Sequence, residues 1–332
     1  MDWSKGYSAS YYMTIVDPNT WRDVGRVELL NGSISRKTSG LRQSADVTCT
    51  SFPESVERWV RIWLDASQSG GTAHEALFTG LTSVSESNLN GSLSTFPLAC
   101  YSVLKPASDI PMQKGSYYPA DTLASDAIRD LLSVTPAPLF VSGTTPRLAQ
   151  TIVAEGKETR LSMTEKILSA INWIMQILGD GTIVISPMSE SETAVFGLAN
   201  DVITPKVNLK ADWFDCPNVF RATYGDVTVV VSDEDPNSPL STVNRGREVW
   251  KTEDNVKLGT DEGIQQYAAR RLKEEQSYAY TVSYTRRFDP AVNICDIVRL
   301  HYPGQGLMGK YIVTSQNIRL APGANVSEKV QK

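Results

Sequence analysis

The chain contains only two histidines, His74 and His301. A Ser-His-Asp relay would have to use one of them, and a histidine-rich metal centre is excluded. His74 falls in the polar stretch 67–75, which reads as a hairpin loop with a solvated imidazole. His301 follows Val298, Arg299 and Leu300 and reads as a lateral position on a sheet. Neither is expected to be catalytic. Cys49, Cys100, Cys216 and Cys295 stand far apart without a CxxC pair, so they are expected to be small buried hydrophobes.

The carboxylates are no more concentrated. Asp212 and Asp215 bracket Trp213-Phe214, and two acids beside aromatic rings are what glycoside hydrolysis uses. On an extended or irregular segment that spacing fixes no carboxyl separation, and Asp ahead of Cys216-Pro217 is turn chemistry, which is the favoured reading. Asp233-Glu234-Asp235 offers three carboxylates, but the following Pro-Asn-Ser-Pro has neither the spacing nor the glycine of an EF-hand. Gly179-Asp180-Gly181 and Gly304-Gln305-Gly306 lack the lysine or third glycine of a phosphate cradle. Tyr117-Tyr118 and Tyr278-Ala279-Tyr280 fit packing or subunit contact better than stacking on sugars or bases. No catalytic residue, cofactor or metal is expected.

The elements that carry these residues are mostly strands. Residues 11–16 alternate, and 26–30 precede Asn31-Gly32, a pair that favours a tight hairpin with 33–36 as the return strand. Ala45, Val47 and Cys49 oppose Asp46, Thr48 and Thr50, the pattern of a half-buried strand. In 59–64, Val60, Ile62 and Leu64 face one way; Trp59, Arg61 and Trp63 face the other and need covering by a second layer or a partner. After residue 105 the pattern changes. Residues 120–133 read as a helix starting at Asp121 or Thr122, with Leu123, Ala127, Ile128, Leu131 and Leu132 inward. Ser162 and Glu165 form a capping box for a second helix through Ile167, Leu168, Ile171, Ile174, Met175 and Leu178; Gly179 ends it, and 182–186 return as a strand. Residues 219–224 and 227–232 read as a hairpin across Gly225-Asp226, with a polar loop at 233–246. A helix at 260–276 buries Ile264, Tyr267, Ala268 and Leu272 and turns Arg270, Arg271, Lys273, Glu274 and Glu275 to water. The stretch 277–318 is β again, and 322–332 is a polar tail.

With 332 residues there is room for two or three domains, and 41% hydrophobic against 21% charged residues implies a folded chain. Lys+Arg 32 against Asp+Glu 37 gives a net charge of −5, which weighs against a nucleic-acid binder. The longest apolar run, 171–178, is far short of the roughly 20 residues that a bilayer needs. The polar start leaves no secretion signal, so assembly is expected in a cytoplasm.

The two β regions echo one another. Val47-Thr48-Cys49-Thr50-Ser51-Phe52-Pro53, Val56 and 60–64 lie over Val282-Ser283-Tyr284-Thr285, Phe288-Asp289-Pro290, Val292 and 297–300. Gly80-Leu81-Thr82-Ser83 then lies over Ile312-Val313-Thr314-Ser315, ahead of loops holding Gly91 and Gly323. A duplicated unit would let three chains present six similar surfaces.

Together with this echo, Arg61-Ile62-Trp63-Leu64, Ala76-Leu77-Phe78-Thr79-Gly80, the helix-turn-strand of 158–187 and Asp212-Trp213-Phe214-Asp215-Cys216-Pro217-Asn218-Val219 resemble phage tail hub proteins. More narrowly, the chain is similar to the XkdQ-like baseplate hub proteins of contractile tails and phage-tail-like particles. The resemblance implies a mainly β (α+β overall) structural protein with two tube-like antiparallel β-barrel domains around an α+β domain. It implies a homotrimeric ring that continues the hexameric tail tube, seats the trimeric spike, and meets the tape measure protein and other baseplate proteins. On this basis 1–105 is the first barrel, 106–191 the α+β domain, and 192–332 the second barrel with a helical insertion around 260–276. Trp59, Trp63, Tyr12 and Tyr280 are the candidate subunit or partner contacts, being too many large aromatics for the outside of a lone barrel. DNA is expected to pass through the bore without specific binding. A cell-wall hydrolase or carbohydrate-binding tail module is the alternative, and an unrelated interaction module the third reading.

Overall fold

A computed structural model describes residues 1–52, 57–84, 88–90, 93–188, 191–197, 201, 207–323 and 325–332. Pro53, Val56 and Gly91, which the sequence alignment used, lie outside them. The chain is mainly β, and among the described residues thirteen strands form one large sheet dominated by antiparallel pairs. No helix of the described residues is long and apolar enough to cross a membrane.

Seven strands come first: β1 (Ser8–Val16), β2 (Asp23–Lys37), β3 (Gln43–Cys49), β4 (Arg58–Gln68), β5 (Gly71–Val84), β6 (Asn88–Asn90) and β7 (Leu93–Ser102). Their pairing runs β1-β4-β5-β7-β3-β2, and β2 also pairs with β1, so the six-strand path returns to its start. Period-two side chains drive it: Ala45, Val47 and Cys49 of β3 and Val60, Ile62 and Leu64 of β4 all point into one apolar core. The hairpin expected at Asn31-Gly32 does not form. Residues 23–37 are one long strand with a bulge between Leu29 and Asn31. Gly32 is there for close approach, since a Cβ would lie 2.7 Å from Val47 Cγ1.

A mixed unit follows: α1 (Lys105–Asp109), β8 (Tyr117–Tyr118), α2 (Ala124–Leu132), β9 (Leu139–Val141), β10 (Ile152–Val153), α3 (Arg160–Ala170), β11 (Trp173–Ile177) and β12 (Ile183–Pro187). The first long helix buries Ala127, Ile128, Leu131 and Leu132 as expected, but it begins at Ala124 because Asp121 is left-handed (φ +68°) and the N-cap Leu123 is extended. The capping box lies three residues earlier than read: Thr159 accepts from Ser162 N–H and Ser162 reciprocates. That helix stops at Ala170, and Asn172 (φ +53°) turns the chain into β11, so Ile174 and Met175 belong to a strand and Leu178 to the turn after it rather than to a helix. The 178–182 turn joins β11 to β12 and docks on β5, where a Cβ on Gly179 would stand 1.7 Å from Ala76 O.

The last third holds β13 (Glu192–Phe196), β14 (Asn208–Ala211), β15 (Val219–Tyr224), β16 (Val227–Ser232), α4 (Thr242–Arg245), β17 (Trp250–Glu253), α5 (Ile264–Ser277), β18 (Tyr280–Arg287), β19 (Ile297–Tyr302), β20 (Leu307–Arg319) and β21 (Asn325–Gln331). The β15–β16 hairpin forms across Gly225-Asp226 as read. With β17 it makes a separate three-stranded sheet, on which α5 packs Tyr267, Ala268 and Leu272 against Phe220 and Ala222. This excursion meets the middle unit where Ala149 N donates to Leu258 O and Thr260 N to Arg147 O. Arg270 and Arg271 are not simply solvated: they pair with Glu262, Glu274, Glu253 and Glu275. Nor is the tail a loose polar end. Strand β21 lies between β20 and β18 with Val326, Glu328 and Val330 buried.

The pairing order of the last third repeats that of the first. Strands β18-β21-β20-β19-β13, with β14 on β18, correspond in sequence order and adjacency to β3-β7-β5-β4-β1 with β2 on β3. Two differences stand out: β13 runs parallel to β19 where β1 runs antiparallel to β4, and the closing β1–β2 pair has no counterpart among the described residues. The two sets join through β2 and β20, which pair from Ser33↔Arg319 to Lys37↔Ser315.

On the buried face of that seam runs a polar row. Gln43 of β3 opposes Arg36 of β2, Arg36 opposes Gln316 of β20, Gln316 opposes Glu328 of β21, and Glu328 opposes Tyr284 of β18. All five are at most 4% exposed. Glu328 Oε1 accepts from Arg286 Nη2 at 2.9 Å and Gln316 Nε2 at 2.8 Å; Oε2 accepts from Arg286 Nε at 2.9 Å and Tyr284 Oη at 2.7 Å. Arg36 donates to Gln316 Oε1 at 3.4 Å and Leu77 O at 2.6 Å, and Gln43 Nε2 to Ile177 O at 2.5 Å. The neighbouring row, Ala45, Ile34, Ile318 and Val326, is apolar and fully buried up to its end at Arg286.

Candidate functional site

The groups with chemical potential are dispersed. His74 is not in a loop but in β5, opposite Asp65 of β4, with its Nδ1 2.6 Å from Asp65 Oδ1. The imidazole stacks on Trp63 at 4.2 Å and 9° and faces Tyr12 at 6.2 Å and 22°. His301 lies on an exposed face of β19, opposite Met308. Asp212 and Asp215 are both exposed; Asp212 pairs with Lys210, and Cys216 N–H donates to Trp213 C=O, closing a turn. Asp233 accepts from Asp235 N, Ser238 Oγ and Gln276 Nε2, which ties the loop to α5, and Asp235 caps Asn237. Among the described residues no cluster of three or more His, Cys, Asp or Glu is arranged to hold a metal ion.

All four cysteines are free and buried. Burial pushes the Cys49 and Cys295 thiols up to about 11 and Cys100 up to about 12, which removes them as nucleophiles near neutral pH. A cavity of about 330 Å³ opens where the three units meet, lined by Arg42, Trp173, Arg270, Glu274, Tyr278 and Cys295. Arg270 and Glu274 are already paired there, and Arg42 donates to Thr38 O and Met175 O, so its charges are spent on joining the units.

The outer face of β2-β1-β4-β5 carries a row of stacked aromatic and charged side chains. Arg26, paired with Glu28, lies 3.9 Å over the Tyr12 ring, and Tyr12 and Trp63 flank His74. Burial and then the Asp65 charge raise the Tyr12 phenol. Trp63 Nε1 donates to Asp23 Oδ2 at 2.8 Å and Thr14 Oγ1 at 3.1 Å. Arg61, 6% exposed, donates to Asp23 Oδ1, Thr79 Oγ1 and Asp180 O. Trp59 ends the row, 5.6 Å from Trp21, and both pack against the core of the middle unit. Tyr12, Trp63 and Trp59 therefore share one face, with Trp59 half-buried under the chain's own second layer. Tyr280 is elsewhere, at the start of β18, 5.9 Å from Trp213 and beside Cys216, Leu240 and Ala279.

Sequence reasoning missed the polar row at the seam, although a signal was present: Val326, Glu328 and Val330 alternate with Ser327 and Lys329, as a strand requires.

No family model matches the sequence, and no curated protein matches it. Solved structures do. A 43 kDa tail protein of prophage MuSo2 from Shewanella oneidensis superposes with a TM-score of 0.68 at 14% identity, covering 96% of this chain and 97% of that one. A tail protein from Neisseria meningitidis MC58 gives 0.71 at 12% identity over 99% and 97%. The E. coli c3393 protein, a type VI secretion component described as similar to the T4 tail proteins gp27 and gp5, gives 0.54 at 8% identity over 92% and 73%. At such identities the likeness carries the fold alone, and over nearly its whole length this chain has the fold of these tail proteins.

Proposed function

We propose that the protein is a structural baseplate hub of a phage tail or phage-tail-like particle. Three copies form a ring that adapts the hexameric tail tube to the trimeric spike. The observation that carries this reading is the repeated pairing order: β18-β21-β20-β19-β13 follows β3-β7-β5-β4-β1, so one chain holds two alike sheet units and a trimer holds six. In this reading 1–105 and 192–332 are two tube-like barrels, the second carrying the inserted β15–β17 sheet and α5, and 106–191 is the domain between them. The dispersed acids and histidines and the raised thiols support a role without catalysis.

The tail tube, the spike, the tape measure protein and other baseplate proteins are the partners, and the tail baseplate, assembled in the host cytoplasm, is the location. With a net charge of −5 the ring lets DNA pass without holding it. Tyr12 and Trp63 offer their outer edges to a neighbouring copy, with Trp59 at the end of the same row under the middle unit, and Tyr280 with Trp213 forms a second contact point. Mass measurement in solution, alone and with the spike added, tests the reading. A trimer, or trimerisation on adding spike, is expected. A monomer under both conditions that clears peptidoglycan would overturn it.

A further inference from the structure

The polar row Gln43–Arg36–Gln316–Glu328–Tyr284 lies in the one place, among the described residues, where the two sheet units are joined edge to edge. Elsewhere along β2 and β20 the buried side chains are apolar and mutually exchangeable: Ile34 faces Ile318, and apolar pairs tolerate displacement at little cost in specificity. The row is different. Arg36 finds an acceptor on β20 only at Gln316, and Gln316 relays to Glu328, which also holds Arg286 and Tyr284. A slip of one residue at the seam would turn Arg36 outward. A slip of two residues would set Arg36 against Ile318 or Thr314, and in the second case Ile34 against Gln316, leaving further buried polar groups unpartnered besides Arg36 Nε and Gln43 Oε1, which lack a partner already.

We propose that this buried polar row is a register lock that fixes the stagger of the first sheet unit against the second. The consequence for assembly rests on the hub reading: six units from three chains form a level ring only if the two units of each chain sit at one set height. The lock itself is a property of the single chain and is tested there.

The test traps the register with cysteine pairs on the other face of the seam, using the full-length chain. Ser35→Cys with Asn317→Cys joins Cα partners of the observed register. Ser35→Cys with Ser315→Cys, or with Arg319→Cys, joins residues opposed only after a two-residue slip, which in the observed register are beyond the Cα separation of about 7 Å that a disulfide bridges. In the parent, oxidation is expected to close only the first pair. The row is then made apolar by combining Gln43→Leu, Arg36→Met, Gln316→Leu, Glu328→Leu, Tyr284→Phe and Arg286→Met. The folded variant is expected to close a slipped pair at least about tenfold more than the parent, because an apolar seam no longer distinguishes registers. Should that variant fail to fold, Gln316→Met alone severs Arg36 from Glu328 at similar volume, and the same tenfold rise is expected. A folded variant that closes only the Ser35–Asn317 pair overturns the lock. Trimerisation, measured separately by mass, distinguishes failure of the lock from failure of the hub reading.

Discussion

Replacing Glu328 by Gln preserves shape and removes charge at the centre of the buried row. Each carboxylate oxygen receives one nitrogen of Arg286: Oε1 from Nη2 and Oε2 from Nε, both at 2.9 Å. Whichever way the amide is turned, its NH2 therefore faces a guanidinium donor that has no lone pair to offer. The change also leaves Arg286, 2% exposed, as a buried cation without its counter-charge. Breaking such a pair from one side costs about 3–5 kcal/mol, a large share of the roughly 5–15 kcal/mol of a folded chain. Glu192→Gln is the control: its partner Arg299 is half-exposed, and the loss should be far smaller because water screens the pair. Urea midpoints of the two variants measure the difference. Burial alone would raise the Glu328 carboxyl, but the charge and hydrogen bonds of Arg286 outweigh it and hold the group below its usual range. Its contribution is thus fully present above the unfolded-state value of about 4.3 and is lost as pH falls through the lower folded value. The parent should lose stability on acidification more steeply than Glu328→Gln. Equal losses for the two Gln variants at neutral pH would refute the reasoning, as would a parent and variant with the same acid slope.

Gly179→Ala should lower stability by about 1–3 kcal/mol, because the new methyl would collide with Ala76 O and lift the β11–β12 turn from β5; Gly70→Ala, which meets nothing within 4 Å, should be near neutral in the same denaturation assay. The four thiols should resist alkylation at pH 8 until denaturant is added, as burial and raised pKa values together require. Stoichiometric labelling of the native chain would contradict that.

Period-two patterning was legible wherever burial alternated cleanly, as in β3, where Ala45, Val47 and Cys49 are inward, and across the Gly225-Asp226 hairpin. It misled where one residue type serves two purposes. Asn31-Gly32 has turn composition, yet Gly32 is needed because Val47 packs where its side chain would be. The apolar positions 167, 168, 171, 174 and 175 keep helical spacing across a helix and a strand, and only the left-handed Asn172 divides them. The tail was hidden because a buried position holds Glu328, whose partners lie on other strands and are invisible to any local rule. The aromatics of β4 needed a cover, and for Trp59 the sequence could not distinguish a partner from the middle unit that packs on it.

The excursion carrying β15–β17 and α5 occupies 212–279, at the point of the second sheet unit where the first has only the short 38–42 connection. The ornament is therefore asymmetric: one twin is plain, the other decorated. In the proposed ring of three, plain and decorated units would alternate, so a neighbour touching bare sheet would encounter six similar seats, while one touching the ornaments would encounter three.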